Sequence, residues 1–205
     1  MLTNNLLGVI FDLDNTLVSS SLDFNKIKDS LGCPKEKDIL DYVDSLPKEH
    51  QIQARLQLFD YEMADAHDAR KLAGTDELLA LLSSLGIPCA INTRNCQQAA
   101  LLKLQNNGIE IPLLLTREEH KAKPAPDSVL YVAKYWQQNT NNLLFVGDHL
   151  YDLQTAQNAN TMSCLLTYGR TLGYASLANL VVKDLTELSG IIAHTFNVQA
   201  INETH

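Results

Sequence analysis

Two acidic side chains directly follow a short apolar run near the start of the chain. The run Val9-Ile10-Phe11 ends at Asp12, and Asp14 comes two residues later, in the segment VIFDLDNTL. In open α/β sheets, ligands bind in the crevice at the carboxyl ends of the parallel strands. A carboxylate at that place can attack an electrophile, transfer a proton or bind a hard cation. The pair therefore predicts a reactive crevice at the end of the first strand.

Three later segments add side chains of complementary chemistry. Thr93 follows a second apolar run that ends in Ile91-Asn92, and Lys123 opens a loop marked by two prolines, KPAPD. Asp148 and Asp152 follow a third apolar run, in the segment GDHLYD. The four segments thus present two carboxylates, a hydroxyl group, an ammonium group and two further carboxylates in one order along the chain.

In this order, the four segments resemble the motifs of the haloacid dehalogenase-like hydrolase superfamily, whose members are mostly Mg²⁺-dependent phosphatases. The resemblance extends from residue 7 to about residue 188. It implies that Asp12 attacks phosphorus and forms an aspartyl-phosphate. It also implies that Asp14 protonates the leaving oxygen and later takes a proton from the attacking water. Because dehalogenases of the superfamily lack an acid at the position of Asp14, its presence favours phosphate chemistry.

The resemblance also implies which side chains bind the phosphoryl oxygens. Thr93 is expected to donate its hydroxyl group, and Lys123 to supply a compact positive charge. Arg94 follows Thr93 and is a third candidate for phosphate binding, although a solvent-exposed loop arginine explains it equally well.

The implied cofactor is Mg²⁺, which prefers hard oxygen ligands. Asp12 and Asp148 are expected to bind it through their carboxylates, and Asp14 through its backbone carbonyl. Asp152 is expected either to bind the ion directly or to contact the other ligands without touching the ion.

Two asparagines stand where the family commonly has glycine. Asn15 follows Asp14, and Asn160 follows Ala159. Asparagine is the residue other than glycine that best tolerates a left-handed backbone, so we expect both turns to be preserved.

The periodicity of the chain predicts an α/β fold with an insertion. From about residue 74 onward, apolar runs alternate with helical patterns, which predicts a Rossmann-like parallel sheet with helices on both faces. Residues 16–73 are helical in pattern, with breaks at Gly32-Cys33-Pro34 and at Pro47. We therefore predict a catalytic core, residues 1–15 and 74–205, and a small all-helical cap domain, residues 16–73. A cap at this place would close over the substrate.

The last predicted cap helix carries an apolar stripe that we expect to pack against neighbouring helices. Its members recur at intervals of four and three: Ile52, Leu56, Phe59, Met63 and Ala66. Arg55, His67 and Arg70 lie on other faces and are the candidates for contact with the substrate. If none of them sets the substrate preference, the loop at residues 19–21 or the loops of the core would do so.

The composition is that of a globular protein with an acidic surface. Of 205 residues, 45% are hydrophobic and 20% are charged, and the net charge is −8. This charge disfavours nucleic acid as a partner but permits a small phosphorylated metabolite, since a few local cations can outweigh the overall field. The first residues lack a signal-like apolar stretch, no run is long enough to span a membrane, and the four cysteines are scattered. These features predict a cytoplasmic protein without a membrane partner.

Two other functions fit part of the pattern. A phosphomutase would share these motifs and the position of the cap. A phospho-accepting regulatory protein would also need an acidic pocket, a threonine and a lysine. Its acceptor, however, lies on a strand in the middle of the chain order, whereas Asp12 and Asp14 follow the first strand, and such a protein has no inserted cap. The substrate and the oligomeric state do not follow from the sequence.

Overall fold

A computed structural model describes residues 5–202, and the side chains of residues 5–196. The described residues form one sheet of six parallel strands in the order β3-β2-β1-β4-β5-β6. The strands are β1 (Gly8–Phe11), β2 (Cys89–Asn92), β3 (Leu113–Leu115), β4 (Leu143–Gly147), β5 (Met162–Leu166) and β6 (Leu180–Val182). Strand β1 lies in the middle, between β2 and β4, so the segments that follow these three strands are neighbours.

Five helices follow the strands or connect them. They are α4 (Thr75–Ser84), α5 (Gln97–Asn107), α6 (Asp127–Trp136), α7 (Leu150–Asn158) and α8 (Leu185–Asn202). Every residue of β1 and β4 is buried. Alternate residues of β1 point to opposite faces: Val9 and Phe11 pack with α4 and α8, whereas Ile10 packs with α6 and α7. The predicted Rossmann-like parallel sheet with helices on both faces is thereby confirmed.

Three further helices lie between β1 and α4 and form the helical insertion. They are α1 (Phe24–Leu31), α2 (Ile39–Ser45) and α3 (Lys48–Asp68). The side chains of Asp23 and Asp38 accept backbone N–H groups at the first turns of α1 and α2, which satisfies donors that a helix leaves free. The three helices share an apolar cluster of their own around Ile27, Val43 and Leu58.

The chain leaves β1 through a tight turn. Asn15 has φ of 53° and Asn160 has φ of 54°, so both adopt the left-handed backbone predicted for them. Leu17 and Val18 still pack in the core cluster, and Val18 pairs with Lys71 where the chain returns to the sheet. The division of the chain into core and cap at residues 16 and 73 stays a prediction.

The apolar stripe predicted for α3 is wrong at Ile52 and Leu56 but is confirmed at Ala66, which is buried in a cluster against which Phe59 and Met63 pack. Ile52 and Leu56 are 67% and 53% exposed, and the buried face of the helix runs through Ala54, Leu58, Glu62, Asp65 and Ala66. The physical reason is that cations of the core lie opposite this face. Glu62 and Asp65 can be buried there because each forms an ion pair.

None of the helices in the described residues combines the length and the apolarity needed to cross a bilayer.

Candidate active site

The carboxyl ends of β1, β2 and β4 meet at one crevice. Asp12 follows β1, Thr93 follows β2 and Asp148 follows β4, and all three are at least 90% buried. Together with Lys123 and Asp152 they line a cavity of about 370 Å³ between the sheet edge and helices α1 to α3. The structure therefore brings the separate sequence motifs into one site.

Three carboxylates at this edge could hold a metal ion. One oxygen from each of Asp12, Asp148 and Asp152 lies within 4.8 Å of the others. A set of hard oxygen donors, all buried and converging, fits Mg²⁺. Burial, and then the charges of the other two acids, raise the pKa of Asp148 to about 7. Such crowding of negative charge is what a divalent cation would relieve.

Lys123 lies between two of these acids. Its Nζ is 2.7 Å from Asp12 Oδ1 and 2.6 Å from Asp152 Oδ1, and the residue is only 3% exposed. Burial lowers its pKa, but the two carboxylates outweigh burial and raise the pKa above its usual value. The lysine is therefore a fixed positive charge directly beside Asp12. On the other side of the cluster, Arg170 contacts Asp148 at 3.0 Å.

A glycine makes room for Asp152. A Cβ atom on Gly147 would lie 2.2 Å from Asp152 Oδ2, so a larger residue there would displace the carboxylate. Asp152 also accepts the backbone N–H of His149 at 2.9 Å, in the first turn of α7. These two contacts explain the GDHLYD spacing, because they set the direction in which Asp152 faces the cluster.

Asp14 occupies a different environment from Asp12. One carboxylate oxygen accepts a hydrogen bond from Asn95 Nδ2 at 2.6 Å, and the other is paired with the ammonium group of Lys103. Burial raises the pKa of Asp14, while Lys103 opposes the rise. Asp12 thus belongs to the acidic cluster, whereas Asp14 has its own lysine.

Thr93 keeps a hydrogen to donate. Its Oγ1 accepts two hydrogen bonds from Asn95, at 3.1 Å from the backbone N–H and 2.9 Å from the amide. A hydroxyl group has one donor of its own, and Thr93 lines the crevice. The threonine can therefore donate to an anion bound beside Asp12.

Arg94 points instead to the helical insertion. Its Nη2 lies 2.8 and 2.7 Å from the two carboxylate oxygens of Asp38, and its Nη1 donates to the carbonyl of Lys123. The guanidinium also lies 4.6 Å above the ring of Tyr151, whose hydroxyl group donates to Asp38 at 3.0 Å. These contacts engage both terminal nitrogens, but Arg94 also lines the crevice, so its part in phosphate binding stays a prediction.

Two more acids of the insertion reach core cations. Glu62 pairs with Arg117 and accepts the backbone N–H of Cys96 at 3.0 Å. Asp65 lies 2.7 Å from Lys103 Nζ. Together with Asp38, which precedes α2 and contacts Arg94, these two acids of α3 hold the insertion over the crevice.

The comparisons with known proteins agree with this geometry. Residues 19–166 match the family model for haloacid dehalogenase-like hydrolases. This chain belongs to that family. A haloacid dehalogenase-like hydrolase domain-containing protein of Arabidopsis thaliana is 31% identical over 78% of this chain and 71% of its own. A phosphoglycolate phosphatase of Pectobacterium atrosepticum is 26% identical over 92% and 93%. A solved hydrolase structure from Pseudomonas syringae covers 92% of this chain and 98% of its own, with a TM-score of 0.75 at 21% identity.

The sequence did not reveal four residues of this hydrolase site. Asn95 and Lys103 contact Asp14, and Asp38 and Asp65 contact core cations from the insertion. Only Lys103 carried a readable signal: it falls on the same helical face as Ala99, Ala100 and Leu104, where a lysine is out of place. The other three are ordinary polar residues whose partners lie far away along the chain.

The three cap residues expected to reach the substrate do not line the crevice. Arg55 is exposed and pairs with Asp44 on the neighbouring helix α2. Arg70 donates to the carbonyls of His67 and Ala69 at the end of α3. The residues of the insertion that do line it are Ser20, Leu22, Phe24, Lys28, Glu36, Lys37, Asp38, Ile39, Leu40, Leu58 and Glu62.

Proposed function

We propose that the protein is a Mg²⁺-dependent phosphatase that hydrolyses small phosphate monoesters through an aspartyl-phosphate on Asp12. One observation carries the proposal. Asp12 lies in the crevice with Lys123 Nζ 2.7 Å from its Oδ1 and with the carboxylates of Asp148 and Asp152 close by. A carboxylate in this setting can approach an anionic phosphoryl group because cations offset the repulsion.

In the first step, an Asp12 oxygen attacks phosphorus and the bond to the leaving oxygen breaks. Lys123 neutralises charge on the phosphoryl oxygens, and Thr93 donates its hydroxyl hydrogen to them. Asp14 gives a proton to the leaving oxygen, which departs as an alcohol. Arg94 lines the same crevice while paired with Asp38, and is a further candidate for contact with these oxygens.

In the second step, water attacks the phosphorus of the aspartyl-phosphate. Asp14, now ionised, takes a proton from that water, and the bond between phosphorus and the Asp12 oxygen breaks. The electron pair returns to the Asp12 carboxylate, and inorganic phosphate is released. Two carboxylates with opposed roles need separate environments, and the two lysines provide them.

Asp12, Asp148 and Asp152, with the backbone carbonyl of Asp14, would hold Mg²⁺. The ion would offset the charge of nucleophile and substrate while binding a phosphoryl oxygen. The donor set supports this assignment, since it consists of buried carboxylates that converge to within 4.8 Å.

The crevice suits a small ester. Its volume of about 370 Å³ accommodates a phosphoryl group and a short organic moiety. The phosphatase relatives of the chain support the same class of substrate. Helices α1 to α3 would exclude water and contact the leaving group.

The test is phosphate release by Asp12→Asn. An amide is a poor nucleophile and a weaker metal ligand, so we expect turnover to be abolished while the circular dichroism spectrum is unchanged. The matched control is Asp60→Asn, which makes the same substitution at an exposed position on α3 and should not alter turnover. A residual rate within about tenfold of wild type, ~1.4 kcal/mol of barrier, would contradict the assignment.

A further inference from the structure

Lys103 touches none of the reacting atoms in the two steps just described, yet it is completely buried. The residue is 0% exposed on helix α5, among the apolar neighbours Ala100 and Leu104. Taking an ammonium group out of water is costly unless it is fully paired. The contacts of Lys103 therefore need a reason beyond packing.

The three hydrogens of the Lys103 ammonium group have three acceptors. They are a carboxylate oxygen of Asp14, Asp65 Oδ2 at 2.7 Å and Asn95 Oδ1 at 3.4 Å. Asn95 also donates to the second oxygen of Asp14 at 2.6 Å. Both oxygens of Asp14 thus accept hydrogen bonds, which is the arrangement that suits an ionised carboxylate.

The same ammonium group is attached to the helical insertion. Asp65 lies on α3, and its oxygens also accept hydrogen bonds from Ser20 Oγ at 2.9 Å and from the backbone N–H of Ser21 at 2.6 Å. Ser20 and Ser21 lie in the segment that leads from β1 to α1. One lysine therefore links Asp14, the connecting segment and the longest helix of the insertion.

We infer that Lys103 is a positioning residue that orients Asp14 for its proton-accepting step and makes that orientation depend on the closed insertion through Asp65. Asp14 and Asn95 line the crevice, whereas Lys103 lies behind them, so it acts on the reaction through Asp14. The inference rests on the proposed two-step function. In the affected step, Asp14 takes the proton of the attacking water as the phosphorus–Asp12 bond breaks.

The test is Lys103→Met with p-nitrophenyl phosphate. The departure of nitrophenolate needs little proton donation, whereas hydrolysis of the aspartyl-phosphate needs Asp14. We expect kcat to fall about tenfold to a hundredfold, and kcat/KM to stay within about threefold of wild type. KM then falls together with kcat, and a burst of about one nitrophenolate per active site precedes the steady state.

A merely structural role gives a different result. Partial unfolding would lower kcat and kcat/KM by the same factor, without a burst. That outcome would overturn the inference, as would unchanged kinetics. Lys71→Met is the matched control, because it makes the same substitution at a lysine that pairs with Asp76 and does not line the crevice, and its burst amplitude should remain that of wild type.

Two further variants cover folding and the link to the insertion. Lys103→Met leaves Asp14 and Asp65 without their cation, so Lys103→Met/Asp65→Asn removes one charge of each sign and should give the same burst if the single variant does not fold. Asp65→Asn alone should also lower kcat while leaving kcat/KM close to wild type, but kcat should fall by a smaller factor. A folded Asp65→Asn enzyme in which kcat does not fall relative to kcat/KM would overturn the inference that the orientation of Asp14 depends on the insertion.

Asp12→Asn separates this inference from the proposed function. If Asp12→Asn still turns over substrate, the proposed function fails. If Asp12→Asn is inactive, and kcat does not fall relative to kcat/KM in the folded Lys103 variants, only the role of Lys103 fails.

Discussion

The two sides of the crevice are built in opposite ways. On the side of the sheet, the acids Asp12, Asp148 and Asp152 converge on one another around a single lysine. On the side of the helical insertion, each acid pairs with a different cation of the core: Arg94, Arg117 or Lys103. Negative charge is thus concentrated where a metal and a phosphoryl group would bind, and is balanced by separate cations where the insertion meets the core.

This difference distinguishes the acids that would take part in the reaction from the acids that hold the insertion over the crevice. A cluster of acids that share too few cations is unfavourable by itself and gains from a divalent ion. Acids that are individually paired need no further ligand, and their effect is to hold two parts of the chain together. Asp14 belongs to both sides, because it follows β1 but is paired with the lysine that also binds Asp65.

The largest expected effect comes from removing the metal on the side of the sheet. We expect treatment with EDTA to lower phosphate release about hundredfold or more, since a bound cation supplies several kcal/mol of charge stabilisation. Mg²⁺ should restore activity, and Ca²⁺ should not, because its larger and looser shell would misplace Asp12. Full activity in excess chelator would remove the metal from the mechanism and with it the contrast between the two sides.

A smaller effect is expected from the pair between Asp38 and Arg94 on the other side. Asparagine caps a helix as well as aspartate does, so Asp38→Asn should keep α2 while removing the ion pair. We expect KM to rise about threefold to tenfold with little change in kcat, because the open state gains population at the expense of the closed one. Steady-state kinetics with a natural phosphate ester would measure it.

The control for this prediction is another aspartate that pairs with an arginine. Asp44 contacts Arg55 on the exposed side of the insertion, so Asp44→Asn should leave KM unchanged. Equal increases in KM for both variants would mean that the Arg94 contact has no special part in closure.

The smallest effect is expected from the exposed residues of α3. Single replacements of Arg55, His67 and Arg70 by alanine should leave the ranking of natural substrates unchanged, since none of them lines the crevice. A panel of sugar, glycolate, nucleotide and amino-acid phosphates provides the measurement. A changed ranking in any of the three variants would show that the insertion moves these residues toward the substrate during turnover.

The sheet side could be predicted from the sequence because its residues follow directly from local patterns. A short apolar run, a turn and an acid suffice to place Asp12 at a strand end, and the order of the strands then brings Thr93 and Asp148 beside it. The close approach of Asp152 to Gly147, in contrast, was seen only in the structure.

The insertion could not be predicted in the same way. The apolar residues of α3 suggested a buried face through Ile52 and Leu56, whereas the helix buries Glu62 and Asp65 instead. These acids are stable there because of Arg117 and Lys103, which lie 55 and 38 residues away along the chain. The periodicity of one helix carries no information about charged residues elsewhere in the chain that will pair with it.

Asp12 should carry the phosphoryl group between the two steps, and acid quenching of the enzyme during turnover would trap it there. Enzyme mixed with p-nitrophenyl phosphate and Mg²⁺ would be quenched in acid during the first turnover, digested and analysed by mass spectrometry. We expect one phosphoryl group on the peptide that contains Asp12 and none in the Asp12→Asn variant. Turnover without a covalent phosphoryl group, or with that group on any other residue, would contradict this role of Asp12.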